Sequence, residues 1–267
     1  MKQEKVKKIV RAGYAEVAKR GSCGCCGTGV SEKLGYTKQE LRSLPEGADL
    51  SLGCGNPVAL ASLKSGETVL DLGSGAGMDC FLAARKVGKH GRVIGVDMTP
   101  EMLDRARENV RKGDFSNVEF RLGEIENLPV ADGAVDVVIS NCVVNLSPDK
   151  PRVFSEAFRV LKPGGRLMVS DIVLLKSLPD AVKKSVKAYV GCLAGAAMKS
   201  AYLAAIEDAG FERVEVVDET RFPLDLMVSD PTAKAVMKEA NIQAKEMKRL
   251  ENVVASVKVS AVKPKKA

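Results

Sequence analysis

Three of the seven cysteines, Cys54, Cys142 and Cys192, sit where an apolar run ends or a glycine-bearing loop begins. Cys142 follows the run Val137-Val-Ile-Ser-Asn141, at a point where the chain emerges beside a glycine-rich turn. A thiolate there would face whatever the neighbouring pocket holds. Taken one at a time, each cysteine reads as a small buried apolar side chain. Three thiols at the mouth of one pocket would instead make a ligand set for a soft metal or metalloid. Cys23, Cys25 and Cys26 crowd the segment Gly21-Ser-Cys-Gly-Cys-Cys-Gly-Thr-Gly29. The spacing of Cys23 and Cys26 suits a dithiol redox pair or half of a zinc site. No cysteine or histidine pair nearby completes such a site, which favours a mobile redox loop. Cys80 falls just inside the helix behind the glycine turn and reads as packed against a sheet.

The glycine turn is Val69-Leu-Asp-Leu-Gly-Ser-Gly-Ala-Gly77, which follows an apolar strand and precedes an apolar helix, the context a nucleotide-binding turn requires. Gly73 and Gly75 let the backbone approach a ligand, and Ser74 and Gly77 are counted with them as cofactor-binding candidates. Asp97 ends the next strand, where a carboxylate can accept hydrogen bonds from ribose hydroxyls. The glycine spacing differs from that of dinucleotide enzymes, and an acid stands two residues ahead of the first glycine. Asp71 could hold an ammonium group but would repel a pyrophosphate. The pair Asp71 and Asp97 therefore favours S-adenosylmethionine over NAD. The one histidine, His90, lies in a loop entering the second strand, at the far end of the sheet from the ligand crevice. It offers no general base to the pocket.

These groups need a scaffold that gathers strand ends. After Gly66 strands alternate with helices, as in βαβ units around a parallel sheet. Strands are expected over 68–72, 92–96, 117–122, 134–140, 165–171, 212–217 and 253–262, with helices beginning near Met78, Pro100, Pro151, Pro179 and Ser200. Residues 6–19 carry apolar positions at helical spacing, and residues 223–250 read as further helix before the last strand. The fold class is α/β: a Rossmann-like, mostly parallel seven-stranded sheet with helices on both faces and an N-terminal helix-and-loop cap. The expected division is 1–60 for the cap, 61–175 for the cofactor-binding part, and 176–267 for substrate-side helices and the closing strands of the same sheet. Absence of Trp and 4% aromatic residues leave Val, Leu, Ile, Ala and Met to build the core.

The net charge of +7 is concentrated at the two ends. Without aromatic residues interleaved among the basic ones, it argues against nucleic acid. The charged start lacks a signal-peptide core, and the longest apolar segment is too short to cross a bilayer. A cytoplasmic protein is expected. An odd number of cysteines there reads as catalytic or metal-binding rather than as a disulfide framework.

Four segments resemble the successive motifs of class I S-adenosylmethionine-dependent methyltransferases: residues 69–77, Gly95-Val-Asp-Met-Thr99, Gly123-Glu-Ile-Glu-Asn-Leu-Pro129 and Leu161-Lys-Pro-Gly-Gly-Arg166. The resemblance implies ribose contact by Asp97, flanking of the adenine by Met98, Glu124 and Ile125, methionine-end contacts by Asp71, Gly73 and Gly75, and Asn141 near the sulfonium. Leu52-Gly-Cys-Gly-Asn-Pro57, Ser140-Asn-Cys-Val-Val-Asn-Leu146 and Val190-Gly-Cys-Leu-Ala-Gly-Ala196 are similar to the cysteine-bearing segments of arsenite methyltransferases. Asp79-Cys80 resembles that family too. The resemblance implies Cys54, Cys142 and Cys192 as ligands of trivalent arsenic. It also implies a redox cysteine among Cys23, Cys25 and Cys26, a family feature from which this chain departs by crowding three cysteines there.

The reading that follows is methyl transfer from S-adenosylmethionine to cysteine-bound As(III). The substrate would arrive as arsenite or its thiol complex, and a thioredoxin-like or small-thiol reductant would restore the cysteines. No proton has to leave the arsenic, in keeping with the lack of a base. Two alternatives use the same residues: a methyltransferase for a small carbon or sulfur acceptor such as a quinone precursor, and a non-catalytic cysteine-based metalloid or redox sensor.

Overall fold

The computed structural model describes residues 3–20, 30–177, 195–221 and 253–265. Cys23, Cys25, Cys26 and Cys192, the helix expected from Pro179 and the segment 223–250 lie outside the described residues. Seven strands form one sheet: β1 (Thr68–Leu72), β2 (Arg92–Asp97), β3 (Val118–Leu122), β4 (Val135–Asn141), β5 (Leu161–Leu174), β6 (Glu212–Arg221) and β7 (Val254–Val262). Their order is β3-β2-β1-β4-β5-β7-β6. The first five pair in parallel, and β7 runs antiparallel to both of its neighbours. The expected Rossmann-like class and seven strands are present. Two strands run longer than local texture suggests, because β7 pairs with β5 as far as Leu174 and with β6 as far as Arg221.

Alternation along the strands divides the core between the two faces. Leu70, Leu72, Ile94, Val96, Val135 and Val138 pack on one side, and Val69, Val93, Val137 and Ile139 on the other. Eight described helices accompany the sheet: α1 (Gln3–Arg20), α2 (Val30–Lys33), α3 (Lys38–Arg42), α4 (Pro57–Leu60), α5 (Met78–Val87), α6 (Pro100–Lys112), α7 (Lys150–Val160) and α8 (Lys199–Asp208). Prolines in the first turns of α6 and α7 sit where a missing N–H costs nothing. The Asp149 side chain caps α7 by accepting from the Arg152 N–H at 3.1 Å. The amphipathic α1 buries Val6, Val10, Ala15 and Ala18. It packs on α6, where Arg105 donates to the Ala18 carbonyl at 2.6 Å.

The strand order reverses between β1 and β4, and in open α/β sheets a ligand crevice forms outside the carboxyl ends of the strands at such a point. Among the described residues no helix is long and apolar enough to cross a membrane. His90 is exposed in the turn between α5 and β2, away from this crevice.

Candidate active site

A pocket occupies the switch point. Gly73, Ser74 and Gly75 form one wall, and Asp97, Met98 and Thr99 after β2 form the next. Ile125, Asn141 and Cys142 continue the lining, with Lys7, Val10 and Tyr14 of α1 also facing it. Gly73 has a φ of 68°, and a Cβ there would lie 2.2 Å from Val143 Cγ2. The turn therefore reaches the pocket only with glycine at this position.

The pocket has an acidic floor. Asp71 is buried, and loss of solvation holds its carboxyl well above the usual range, with Asp79 nearby adding to the effect. Cys80, buried behind the turn as expected, donates its S–H to Asp71 Oδ2 at 3.3 Å. Asp79 is likewise raised by burial, although it accepts from Tyr36 Oη at 2.7 Å and Asn141 Nδ2 at 3.0 Å. Asp97 accepts from the Gly75 and Thr99 N–H groups at 3.0 and 2.8 Å, which pins the glycine turn to the end of β2. Ser74 Oγ is buried against the pocket with no partner among the described residues. Buried carboxylates beside an unmatched hydroxyl suit a polar ligand that carries both a cation and hydroxyl groups.

Cys54 and Cys142, on segments far apart in sequence, converge beside this pocket. Their Sγ atoms and a carboxylate oxygen of Asp171 all lie within 4.8 Å of one another, and all three residues are buried. The Asn141 side chain seats the Cys54 loop on the end of β4. Its Oδ1 accepts from the Cys54 N–H at 3.0 Å, and its Nδ2 donates to the Gly55 carbonyl at 2.8 Å. From the other side, Cys54 Sγ donates to the Ser170 carbonyl at 3.4 Å, and Ser256 Oγ donates to the Cys54 carbonyl at 2.8 Å. Cys142 holds a φ of 59°, a left-handed conformation that costs a side chain roughly 1–3 kcal/mol. Its N–H bond to the Ser170 carbonyl at 2.8 Å fixes that turn. Asp171 accepts from Asn145 Nδ2 at 2.8 Å and from Tyr202 Oη at 3.1 Å. Burial pushes its carboxyl up to about 7 against these hydrogen bonds and the nearby Lys150 charge.

Residues 63–210 match a methyltransferase-domain family. An arsenite methyltransferase of Halobacterium salinarum is 53% identical over 80% of this chain and 59% of its own length. One from Aquipseudomonas alcaligenes is 46% identical over 57% of this chain and 45% of its own length. The crystal structure of an arsenic(III) S-adenosylmethionine methyltransferase from Chlamydomonas reinhardtii aligns with a TM-score of 0.63 and 32% identity, over 90% of this chain and 74% of that one. The chain belongs to the arsenite methyltransferase family. It spans about half to three fifths of the length of the curated relatives named here, 59% in one case and 45% in the other.

Within this family member, Asp71, Gly73, Ser74, Gly75, Asp97, Met98, Ile125, Asn141 and Cys142 share the lining of one pocket. Two residues expected there lie differently. Gly77 caps the start of α5, and a Cβ on it would strike Phe81 Cε2 at 2.7 Å. Glu124 turns to α1, accepting from Lys7 Nζ at 2.7 Å and Arg11 Nη2 at 3.5 Å. Glu126 takes up pocket lining instead, 3.5 Å from Lys7 Nζ and accepting from Ser147 Oγ at 2.6 Å. Sequence reasoning gave no site role to Asp79, Tyr36 or Asp171. The signal for Asp171 was an acid that, with Ser170, interrupts the apolar run of Val169-Ser-Asp-Ile-Val-Leu174. For Asp79 it was an acid in the first turn of a helix whose next five residues, Cys80 to Ala84, are all small or apolar.

Proposed function

We propose that this protein methylates trivalent arsenic from S-adenosylmethionine, holding the arsenic on Cys54 and Cys142 with Cys192 as third ligand. The observation that carries this reading is the convergence of two buried thiols at the edge of a pocket floored by Asp71, Asp79 and Asp97. The donor set fits the cofactor. Asp71, with Asp79 behind it, suits the methionine ammonium, and Asp97 suits the ribose hydroxyls. Met98 and Ile125 offer apolar surface to the adenine, and Ser74 brings an unmatched hydroxyl. When bound, S-adenosylmethionine supplies a methyl carbon on a sulfonium that leaves as a neutral thioether, so the acceptor needs a lone pair and no base.

The protein's share is to present that lone pair. Thiolates from Cys54 and Cys142 displace thiol or hydroxide groups from the incoming arsenite complex and leave the arsenic pair available. Asn141 fixes both thiols relative to the pocket by holding the Cys54 loop on the residue before Cys142. Holding two reactants in attack geometry can remove roughly 7–11 kcal/mol of barrier. The arsenic lone pair would form the new As–C bond while the C–S bonding pair stays with the departing sulfur, so that the arsenic is formally oxidised from the trivalent to the pentavalent state. Two cysteine thiols, one of Cys23, Cys25 or Cys26 with Cys54, then supply two electrons and become a disulfide. A thioredoxin-like or small-thiol reductant in the cytoplasm reopens it.

The test incubates the protein with labelled S-adenosylmethionine, arsenite and a dithiol. Methylarsenicals are expected, and Cys142→Ser or Cys54→Ser should abolish them while cofactor binding persists. Label transferred only to a carbon or sulfur acceptor, or arsenite binding without any methylated product, would overturn the reading. Replacing Cys23, Cys25 and Cys26 by Ser should slow repeated turnover and spare the first transfer.

A further inference from the structure

The donors gathered beside the pocket are not all of the kind trivalent arsenic uses. Among the described residues two are thiols and the third is the carboxylate of Asp171, set within β5 while Cys54 comes from the loop before α4 and Cys142 from the turn after β4. We propose that Cys54, Cys142 and Asp171 form a binding site for a thiophilic divalent cation of the zinc or cadmium type, and that this cation competes with trivalent arsenic for the two thiols. The metal site needs only these three donors; the competition rests on the arsenic reading given above.

Geometry and charge both carry the inference. Zinc holds thiolate sulfur at about 2.3 Å and carboxylate oxygen at about 2.0–2.2 Å in a tetrahedron, which places its donors roughly 3.5–3.8 Å apart. The three ligand atoms here already lie within 4.8 Å of one another. Closing on an ion therefore asks for about 1 Å of movement, and three protein donors leave the fourth tetrahedral position for an exchangeable group. The outer shell is in place. Tyr202 Oη and Asn145 Nδ2 hold the two oxygens of Asp171 at 3.1 and 2.8 Å, the kind of support that orients a metal-binding carboxylate. Two thiolates and a carboxylate carry three negative charges, and a divalent cation reduces them to one. Lys150, whose Nζ donates to the Asn145 and Ser147 carbonyls at 3.4 and 3.0 Å, offsets part of the remainder. Binding releases two thiol protons to solvent, together with the Asp171 proton where that carboxyl is held, and nothing is oxidised or reduced. Trivalent arsenic satisfies itself with sulfur and asks little of the carboxylate, so Asp171 should separate the two kinds of ligand.

The experiment uses the full chain with Cys23, Cys25 and Cys26 replaced by Ser, kept reduced and titrated with Cd2+. The readout is the thiolate-to-cadmium absorption in the ultraviolet. One equivalent should saturate it, and Cys54→Ser or Cys142→Ser should each abolish it. Asp171→Asn and the milder Tyr202→Phe should weaken Cd2+ by roughly tenfold or more. Capture of phenylarsine oxide, a trivalent arsenical that takes two thiols, should change far less in the same two variants. Absorption that survives Cys142→Ser, or Cd2+ affinity unchanged in both Asp171→Asn and Tyr202→Phe, overturns the three-donor site. Arsenite should bleach the cadmium absorption. If the metal behaves as described and arsenite fails to displace it, the arsenic reading falls and the metal site stands.

Discussion

Gly55 is the position where a single methyl group should separate the two thiols. A Cβ built there would lie 2.1 Å from Ser170 Oγ and 3.1 Å from both Ser170 Cβ and Lys258 Cε. Ser170 cannot retreat with its backbone, because β5 is paired at that residue with Asn141 of β4 on one side and Lys258 of β7 on the other. The Cys54 loop must move, against the two Asn141 hydrogen bonds that hold it. Overpacking of this kind costs about 1–3 kcal/mol. If the penalty falls on the closed loop, affinity for an arsenical that needs both thiols drops by roughly 5- to 150-fold, at about 1.4 kcal/mol per factor of ten. Calorimetric titration of Gly55→Ala with phenylarsine oxide measures this, and S-adenosylmethionine titrated into the same sample should bind as before, since Gly55 does not line the cofactor pocket. Adding Ser170→Ala removes the atom in conflict and leaves only the 3.1 Å contacts, so the double variant should recover part of the loss. Normal arsenical affinity in Gly55→Ala, or a double variant no better than the single one, would refute the claim that the loop sets the distance between the thiols.

Three other substitutions probe the surroundings. Asp71→Asn should weaken S-adenosylmethionine binding by roughly 10- to 100-fold, the equivalent of a charge-assisted hydrogen bond worth about 1.5–3 kcal/mol, measured by calorimetry; unchanged affinity would remove Asp71 from the methionine end. Asp171→Asn should alter how stability depends on pH. The Asp171 carboxyl titrates at about 7 in the fold and near 4 when unfolded. Between those values the unfolded chain has released a proton that the native state keeps, so this group lowers stability as pH rises from about 4 to about 7 and no further beyond. The Asn variant lacks that loss, and its melting temperature minus that of the parent should grow from pH 5 to pH 8. A flat difference would contradict the shift. Lys7→Ala cuts the contacts from α1 to Glu124 and Glu126 across the pocket. Ion pairs this close to solvent are worth about 0–1 kcal/mol, so the expected effect is a release of bound S-adenosylmethionine faster by up to roughly fivefold in stopped flow, with little change in melting temperature.

The parallel half of the sheet was legible from residue types because each strand carries its own period and each turn its own glycine. β1 to β4 therefore fall within a residue or so of where apolar texture places them. The ends of β5 and β6 were not legible, since Ile172 to Leu174 and Asp218 to Arg221 are strand only because β7 lies alongside. The candidate site divides the same way. Asp71 and Asp97 declare themselves by adjacency to a glycine turn, whereas Asp79 takes its role from Tyr36, 43 residues away. Asp171 depends likewise on Tyr202, 31 residues away. Glu124 looked like an adenine neighbour from its motif, yet its partners sit on α1, 117 and 113 residues upstream.

Asn141 shows why such long-range partners matter to the chemistry. As the last residue of β4 it borders the switch-point pocket, and its amide reaches Asp79 on one side and both ends of the Cys54–Gly55 peptide on the other. The next residue is Cys142, held in a left-handed turn by the Ser170 carbonyl. One rigid strand end thus sets the positions of the acidic floor and both thiols together. A shift of that strand would displace the acidic floor and both thiols in concert and preserve their separation. A change confined to the Cys54 loop would alter only the thiol pair, which is why Gly55 and Asn141 should give different phenotypes: loss of arsenical capture alone for Gly55→Ala, and loss of both capture and cofactor affinity for Asn141→Ala.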